Sequence, residues 1–283
     1  MNQLVRLLAV ASFCAGLAVL VAPASAAEFK CEPEKIATKY PSLKGRTLKV
    51  GISAADRPTS YRDETDPNKV IGFDADYARA TFACIGIPFE FAIGGWSGLM
   101  PALIAGQTDV MWDQLYYTPE RGKQADFVLY SSSGSSIVVA KGNPKKIHSL
   151  DDLCGHRAVG QIGSTEVTTL QGLSAKCVEA KKPEIDIHIG QDRTSGLLEL
   201  ANDRVDVYLG IAVAYYDPAI YEIAYGYSTG VRIGVAVKKG DKDLTQAIFD
   251  SIKLLQDEGN ARKFYEAYRM NPGLSIPAEI IAQ

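Results

Sequence analysis

Apolar positions along this chain follow two rhythms that alternate from one end to the other. LKVGIS (48–53), FEFAIG (89–94), DVMW (109–112), SIVVAK (136–141), RAVGQI (157–162), IDIHIG (185–190), VDVYLG (205–210) and VRIGVAVK (231–238) are short runs of apolar and β-branched residues and read as strands. Between them the apolar positions recur at helical spacing: Phe73, Tyr77, Ala80 and Cys84 make one stripe, and Leu244, Ile248, Ile252 and Leu255 another. Alternation of this kind predicts an α/β fold built on parallel sheets.

Part of the pattern occurs twice. SLKGRTLKVGIS (42–53) is echoed by DLCGHRAVGQIGS (152–164), each with a Leu-x-Gly turn leading into a strand that contains Val-Gly. GLMPALIAGQTDVMW (98–112) is likewise echoed by GLLELANDRVDVYL (196–209), where a helix ends at a polar turn and an Asp-Val strand follows. Two such echoes in the same order predict two similar lobes. No low-complexity linker separates them, so the chain must cross between lobes in short ordered segments, near 131–136 and 226–232. That places lobe 1 at 27–132 with a return segment at 230–283, and lobe 2 at 133–229. Two lobes joined by two hinge crossings imply a cleft that opens and closes.

Residues 1–26 stand apart from this pattern. They carry one cation, Arg6, a mostly apolar run from Leu7 to Ala22, and the small-x-small ending Ala24-Ser25-Ala26. This reads as a cleaved secretory signal; the apolar run is short for a membrane span and lacks a cationic flank after it. Cleavage after Ala26 would take the 283-residue chain to 257 residues and its net charge from −3 to −4, since the lost segment holds a single charge. A chain of that size and sign has room for two cores and lacks the basic face that nucleic acid requires. Four cysteines remain, Cys31, Cys84, Cys154 and Cys177. An even number in an oxidising, periplasmic compartment implies two disulfides; three pairings are possible, and sequence order favours Cys31 with Cys84 and Cys154 with Cys177.

Ligands of open α/β sheets gather beyond the carboxyl ends of the strands. The segments there are 53–60, 94–97, 113–121 and 163–166. In YYTPERGKQADF (116–127), Thr118 is a good helix N-cap, Pro119 suits the first helical position and Glu120 suits the positive end of the helix dipole. Arg121 does not suit it, because a cation there faces unpaired backbone N–H groups unless an anion sits in front of both. A carboxylate gripped by the guanidinium fork satisfies that condition. Ser164 and Thr165 open a second helix with hydroxyls facing the same space, Trp96 offers a flat apolar wall, and Asp113, an acid directly after a buried strand, needs a partner. Catalysis finds little footing: His148, His156 and His188 lack metal-ligand spacing, GGWSG is out of phase with a nucleophile elbow, and no Ser-x-x-Lys occurs. Asp203 and Asp206, either side of Arg204, read as solvated charges.

Taken in order, WSGLMPALIAGQTDVMW, YYTPER, GNPKKIHSLDDLCGHRAVGQIGST and GVAVKKGDKDL resemble the family 3 extracellular solute-binding proteins, the amino-acid receptors of ATP-driven importers, over residues 46–270. The resemblance implies a type II periplasmic binding protein fold with a doubly wound sheet in each lobe, and a membrane permease as partner. It implies that Arg121 grips an α-carboxylate, that Thr165 adds a hydrogen bond from lobe 2 and that Trp96 is the aromatic wall. It implies no cofactor, no metal, no catalysis and a monomer. Several positions depart from the family pattern. Asp56 stands where an aromatic residue is common, Asp113 and Gln114 where small residues are expected, and Tyr116 in place of the usual Ser or Thr. Gly210 and Ile211 occupy the place of the Asp that normally holds the ligand's α-amine. With that clamp gone, Asp113 and Asp56 become the expected partners for a ligand cation, and the ligand an amino acid or small carboxylate with a cationic or polar far end. The rival readings are a periplasmic enzyme on the same scaffold, such as a dehydratase, and a ligand sensor for a signalling receptor.

Overall fold

The computed structural model describes residues 31–282. The signal expected over 1–26 lies outside them. The chain begins with α1 (Ile36–Lys39), β1 (Leu48–Ile52), a small ribbon of β2 (Ala55–Asp56), β3 (Ser60–Arg62) and β4 (Val70–Ile71), then α2 (Phe73–Ile85), β5 (Phe89–Ile93), α3 (Trp96–Ile104), β6 (Val110–Tyr116), α4 (Pro119–Gly122) and the long β7 (Ala125–Ala140). It continues with β8 (Arg157–Gln161), α5 (Thr165–Glu179), β9 (Asp186–Gly190), α6 (Arg193–Ala201), β10 (Val207–Ile211), the long β11 (Tyr221–Lys238), α7 (Lys242–Asp257), α8 (Asn260–Ala267) and β12 (Ser275–Ile281).

The main sheet runs β5-β1-β6-β11-β7-β10-β8-β9, with β12 also on β7. Within β5-β1-β6 and within β9-β8-β10 the strands are parallel, whereas β6 on β11, β11 on β7 and β7 on β10 are antiparallel. The two parallel sets have the same internal order, so the duplication legible in the sequence is a duplication of topology: β1 answers to β8, and α3–β6 to α6–β10.

Each set is covered on both faces. On one face of the first, Trp112 of β6 and Tyr130 of β7 meet Phe73 and Tyr77 of α2 and Leu244, Ile248 and Ile252 of α7. On the other, Met111 and Leu115 meet Leu99 and Leu103 of α3. In the second set Ile137, Val207 and Leu209 pack with Leu170 of α5, while Val159 and Tyr208 pack with Leu200 of α6. Alternate residues of one strand feeding opposite cores is the period-2 geometry that a doubly wound sheet requires. Among the described residues, no helix is long and apolar enough to cross a membrane.

Local sequence explains where elements start. Gly72 precedes α2 with φ 123°, where a Cβ would lie 2.4 Å from the Thr59 carbonyl oxygen, so only glycine makes that turn. Asp76 then sits in the first helical turn, where the helix dipole favours an acid. The disulfides are Cys31–Cys84 and Cys154–Cys177. Each ties the segment before the first strand of its set to the C-terminal part of the helix behind it, α2 or α5, so neither spans the two sets.

The expected crossings at 131–136 and 226–232 are not separate connectors. Both fall inside β7 and β11, which pair from end to end with register shifts between Ile223 and Tyr225, between Ser228 and Arg232 and between Ile233 and Gly234, the second being the one at the expected crossings. Gly134 lies at that shift. Its carbonyl accepts from the Tyr116 hydroxyl (2.9 Å) and the Ala212 amide (2.9 Å), and a Cβ there would lie 2.1 Å from the Tyr227 carbonyl oxygen. Because that neighbour is backbone, relief requires the two long strands to part. Gly134→Ala is expected to cost about 2–3 kcal/mol, seen as a lower urea midpoint with an unchanged m-value.

Candidate functional site

Carboxyl ends of strands from both parallel sets converge on one cavity of about 70 Å³. Asp56, Trp96, Asp113, Gln114, Tyr116 and Arg121 line it from the first set, and Ser164, Thr165, Glu166, Arg193, Tyr208 and Gly210 from the second. The eight residues at which the sequence points to a ligand site, Arg121, Ser164, Thr165, Trp96, Asp113, Asp56 and the family departures Gln114 and Tyr116, are therefore all in its wall.

Arg121 is placed by the local grammar of its segment. The Thr118 side chain caps α4 by accepting from the Arg121 amide at 3.2 Å, with Pro119 at the first helical position. The guanidinium folds back so that Nη1 donates to the Tyr116 carbonyl (2.7 Å) and Nη2 reaches the Gly163 carbonyl (3.0 Å) on the other side of the cavity. Its carbon lies 5.6 Å from the centre of the Trp96 ring, a cation–π contact. Neither Glu120 nor Asp126 pairs with it, Asp126 being taken by Lys239 at 3.1 Å. Burial lowers the guanidinium pKa, against the raising influence of the Glu166 charge. Arginine nevertheless stays protonated, so the wall holds a cation bonded only to neutral carbonyls.

Asp113 lies within β6 rather than after it, and its partners are internal. Its carboxylate accepts from the Ser53 amide (3.0 Å) and the Ser60 hydroxyl (2.7 Å), while its carbonyl accepts from the Trp96 indole (3.0 Å). Asp56 accepts from the Ser53 hydroxyl (2.9 Å) and forms an ion pair with Arg193 at 3.0 Å. Arg193, whose Nη2 also donates to the Ala55 carbonyl at 3.2 Å, thus joins the start of α6 to the loop after β1. With the Arg121–Gly163 bond and the Tyr215 amide on the Arg57 carbonyl (3.0 Å), this draws the two sets together around the cavity. Asp56 therefore has a protein cation, Arg193, as a partner while lining the cavity.

Gln114 has φ 48°, a left-handed conformation rare outside glycine. Its Nε2 donates to Asp74 (2.7 Å), but its Oε1 is buried without a partner. Asp74 also accepts from Tyr130 (3.1 Å), and burial, followed by the Asp113 charge, pushes its carboxyl well above the usual range. Ser164 caps α5 by position only: its Oγ makes no capping bond and is buried without a partner. Buried orphans of this kind are uncommon in native proteins. Here two of them border one cavity.

Sequence reasoning missed Glu166 and Arg193. Arg193 is a cation directly after the α6 cap Asp192, the same anomaly that singled out Arg121. Glu166 lies in the first turn of α5, where an acid is unexceptional. It corrects the expectation that the second lobe has no carboxylate for the site. The place where an acid was expected is filled: a Cβ on Gly210 would meet the Tyr208 ring at 2.3 Å and the Tyr216 hydroxyl at 2.7 Å. Asp206, read as solvated, is buried and pairs with Arg157 at 2.7 Å.

The family model for bacterial extracellular solute-binding proteins, family 3, matches residues 48–271. The L-cystine-binding protein TcyJ of Escherichia coli (strain K12) is 26% identical over 228 residues, covering 78% of this chain and 82% of that one. ABC transporter arginine-binding protein 1 of the same organism is 24% identical over 230 residues, covering 78% and 90%. Among solved structures, an ancestral arginine-binding protein bound to arginine superposes with a TM-score of 0.71 at 30% identity, covering 78% of this chain and 97% of that one. The ancestral arginine-binding protein bound to glutamine gives 0.71 at 32% identity over the same shares.

The Asp113 carboxyl is pushed up to about 7, first by burial and then by the Asp56 charge, against the bonds from Ser60 and Ser53. A folded pKa above the unfolded one means this group favours the folded state most at acidic pH and loses that contribution as pH rises towards 7. Asp113→Asn removes the titration. Between pH 5 and 8 its stability is expected to gain on the wild type by about 2–3 kcal/mol, measured by urea unfolding at both values. Parallel pH dependence in the two proteins would show that Asp113 does not titrate there.

Proposed function

The chain belongs to the bacterial extracellular solute-binding proteins, family 3, and we propose that it is the periplasmic receptor of an ATP-driven importer, closing on an amino acid or a related small carboxylate and handing it to a membrane permease. It is a binding protein and not an enzyme; the relatives named above are binding proteins for cystine and arginine. The solved neighbours hold arginine or glutamine, whose common feature is an α-ammonium carboxylate.

The observation that carries this reading is Arg121, a cation in the cavity wall bonded to two carbonyls and to no carboxylate. A ligand carboxylate would meet that guanidinium together with the orphaned Ser164 hydroxyl and the first amides of α5, all of which favour an anion. Trp96 would flank its apolar part. On this reading lobe 1 comprises 27–132 and 230–283 and lobe 2 comprises 133–229, with the register shift between Ser228 and Arg232 as the hinge. Because Arg121 is on one lobe and Ser164 and Thr165 on the other, both sets of contacts exist only in the closed form, so ligand shifts the population towards it. The paired cysteines agree with an oxidising compartment, reached through export directed by residues 1–26.

Ligand-stripped protein is expected to melt at higher temperature with amino acids or small carboxylates and to be unmoved by amines that lack a carboxylate. Arg121→Ala should weaken the best ligand by at least about 30-fold, as for loss of a buried charged bond, with circular dichroism unchanged. Arg121→Lys should also bind more weakly because it lacks the fork. Calorimetry giving the alanine variant wild-type affinity would remove Arg121 from the site.

A further inference from the structure

The charges around the cavity do not all cancel one another. Arg193 and Asp56 are an ion pair, and Asp113 is occupied by Ser53 and Ser60. Arg121 and Glu166 remain, one from each parallel set. Glu166 is 6% exposed and lines the cavity. Its Oε1 accepts from the Ser135 hydroxyl at 2.9 Å and its Oε2 from the Thr165 hydroxyl at 3.3 Å. Among the described residues no cation lies within ion-pair distance of it. Two neutral hydroxyls leave lone pairs of a carboxylate unused, and a buried charge without a counter-charge is costly.

We propose that Glu166 holds the α-ammonium group of a zwitterionic ligand, doing from the first turn of α5 what no side chain at Gly210 has room to do. The inference rests on the reading that Arg121 takes the ligand's carboxylate. Arg121 and Glu166 then match the two charges of an α-amino acid, and Gln114, which also lines the cavity, has an Oε1 without a partner that could serve as a second acceptor. Hydrogen bonds from Ser135 of β7 and Thr165 fix the carboxylate in place, so it receives the ammonium without rearranging. Ligands with a carboxylate alone leave Glu166 buried and unpaired, which selects against them.

The test uses the full-length mature protein with the twenty common L-amino acids and, for each that binds, its des-amino counterpart, measured by calorimetry or by competition. The wild type is expected to prefer the amino acid by at least about 30-fold. Glu166→Gln is expected to lose that preference by weakening the amino acid while leaving the des-amino acid bound as well as before or more tightly. Should Glu166→Gln not fold, Glu166→Asp, which keeps the charge but shortens the reach, is expected to weaken amino acids selectively. Equal losses for both members of a pair, or a wild type that binds them equally, would overturn the role of Glu166 and leave the carboxylate receptor standing. A wild type that binds no carboxylate at all would overturn both.

Discussion

The antiparallel pairing of 125–140 with 221–238 is the constraint from which the rest of the molecule follows. Among the described residues these two strands join the two parallel sets, with β6 attached to β11 towards one end and β10 to β7 towards the other. Fixing their register fixes how the carboxyl ends of the two sets face each other, and that is where every cavity residue lies. The Gly134 carbonyl, bonded to Tyr116 on one side and Ala212 on the other, ties the wall of the cavity to the register shift between Ser228 and Arg232. Movement at the crossing therefore acts directly on the site.

Electrostatics supplies the second layer. A protein interior ordinarily pairs or solvates its charges; here one ion pair, Arg193 with Asp56, spans the cavity and has its charges satisfied by protein, while Arg121 and Glu166 are satisfied only by neutral groups. On the proposed reading, the first arrangement would favour closure whatever the ligand and the second would make closure depend on what is inside, so that the closed form stays within reach without dominating before the right molecule arrives.

Much of this was legible in the sequence, because the physics behind it is local. Strand and helix rhythms and the Arg121 anomaly each depend on neighbouring residues, and the duplicated units on short segments compared with one another. The full length of the long strands was not legible: YSSSGSS and GYSTG are polar and small and lack the apolar alternation that marks a strand, yet both lie inside the central strands, the second running into the bulge between Ser228 and Arg232 where Gly230 has φ 65°. The β2–β4 ribbon is too short to show a period. Arg193 obeyed the rule that exposed Arg121, but its partner Asp56 is remote in sequence, so no local pattern links them. Glu166 gave no local signal, since an acid at a helix start is normal; its meaning appears only once the nearest cations prove to be elsewhere.

The two halves also differ in how the chain supplies them. Core residues of the second set, from Ile137 to Leu209, come from one uninterrupted stretch that is complete once Tyr227 has been added. The first set's core needs Leu244, Ile248 and Ile252 against Phe73 and Tyr77, so its earliest and latest segments must meet. A chain emerging N-terminus first from a ribosome or a translocation pore can thus finish its middle before its beginning. Until α7 arrives, the aromatic face of Phe73, Tyr77 and Trp112 has no cover, and that interval is when chaperone capture or self-association would find it.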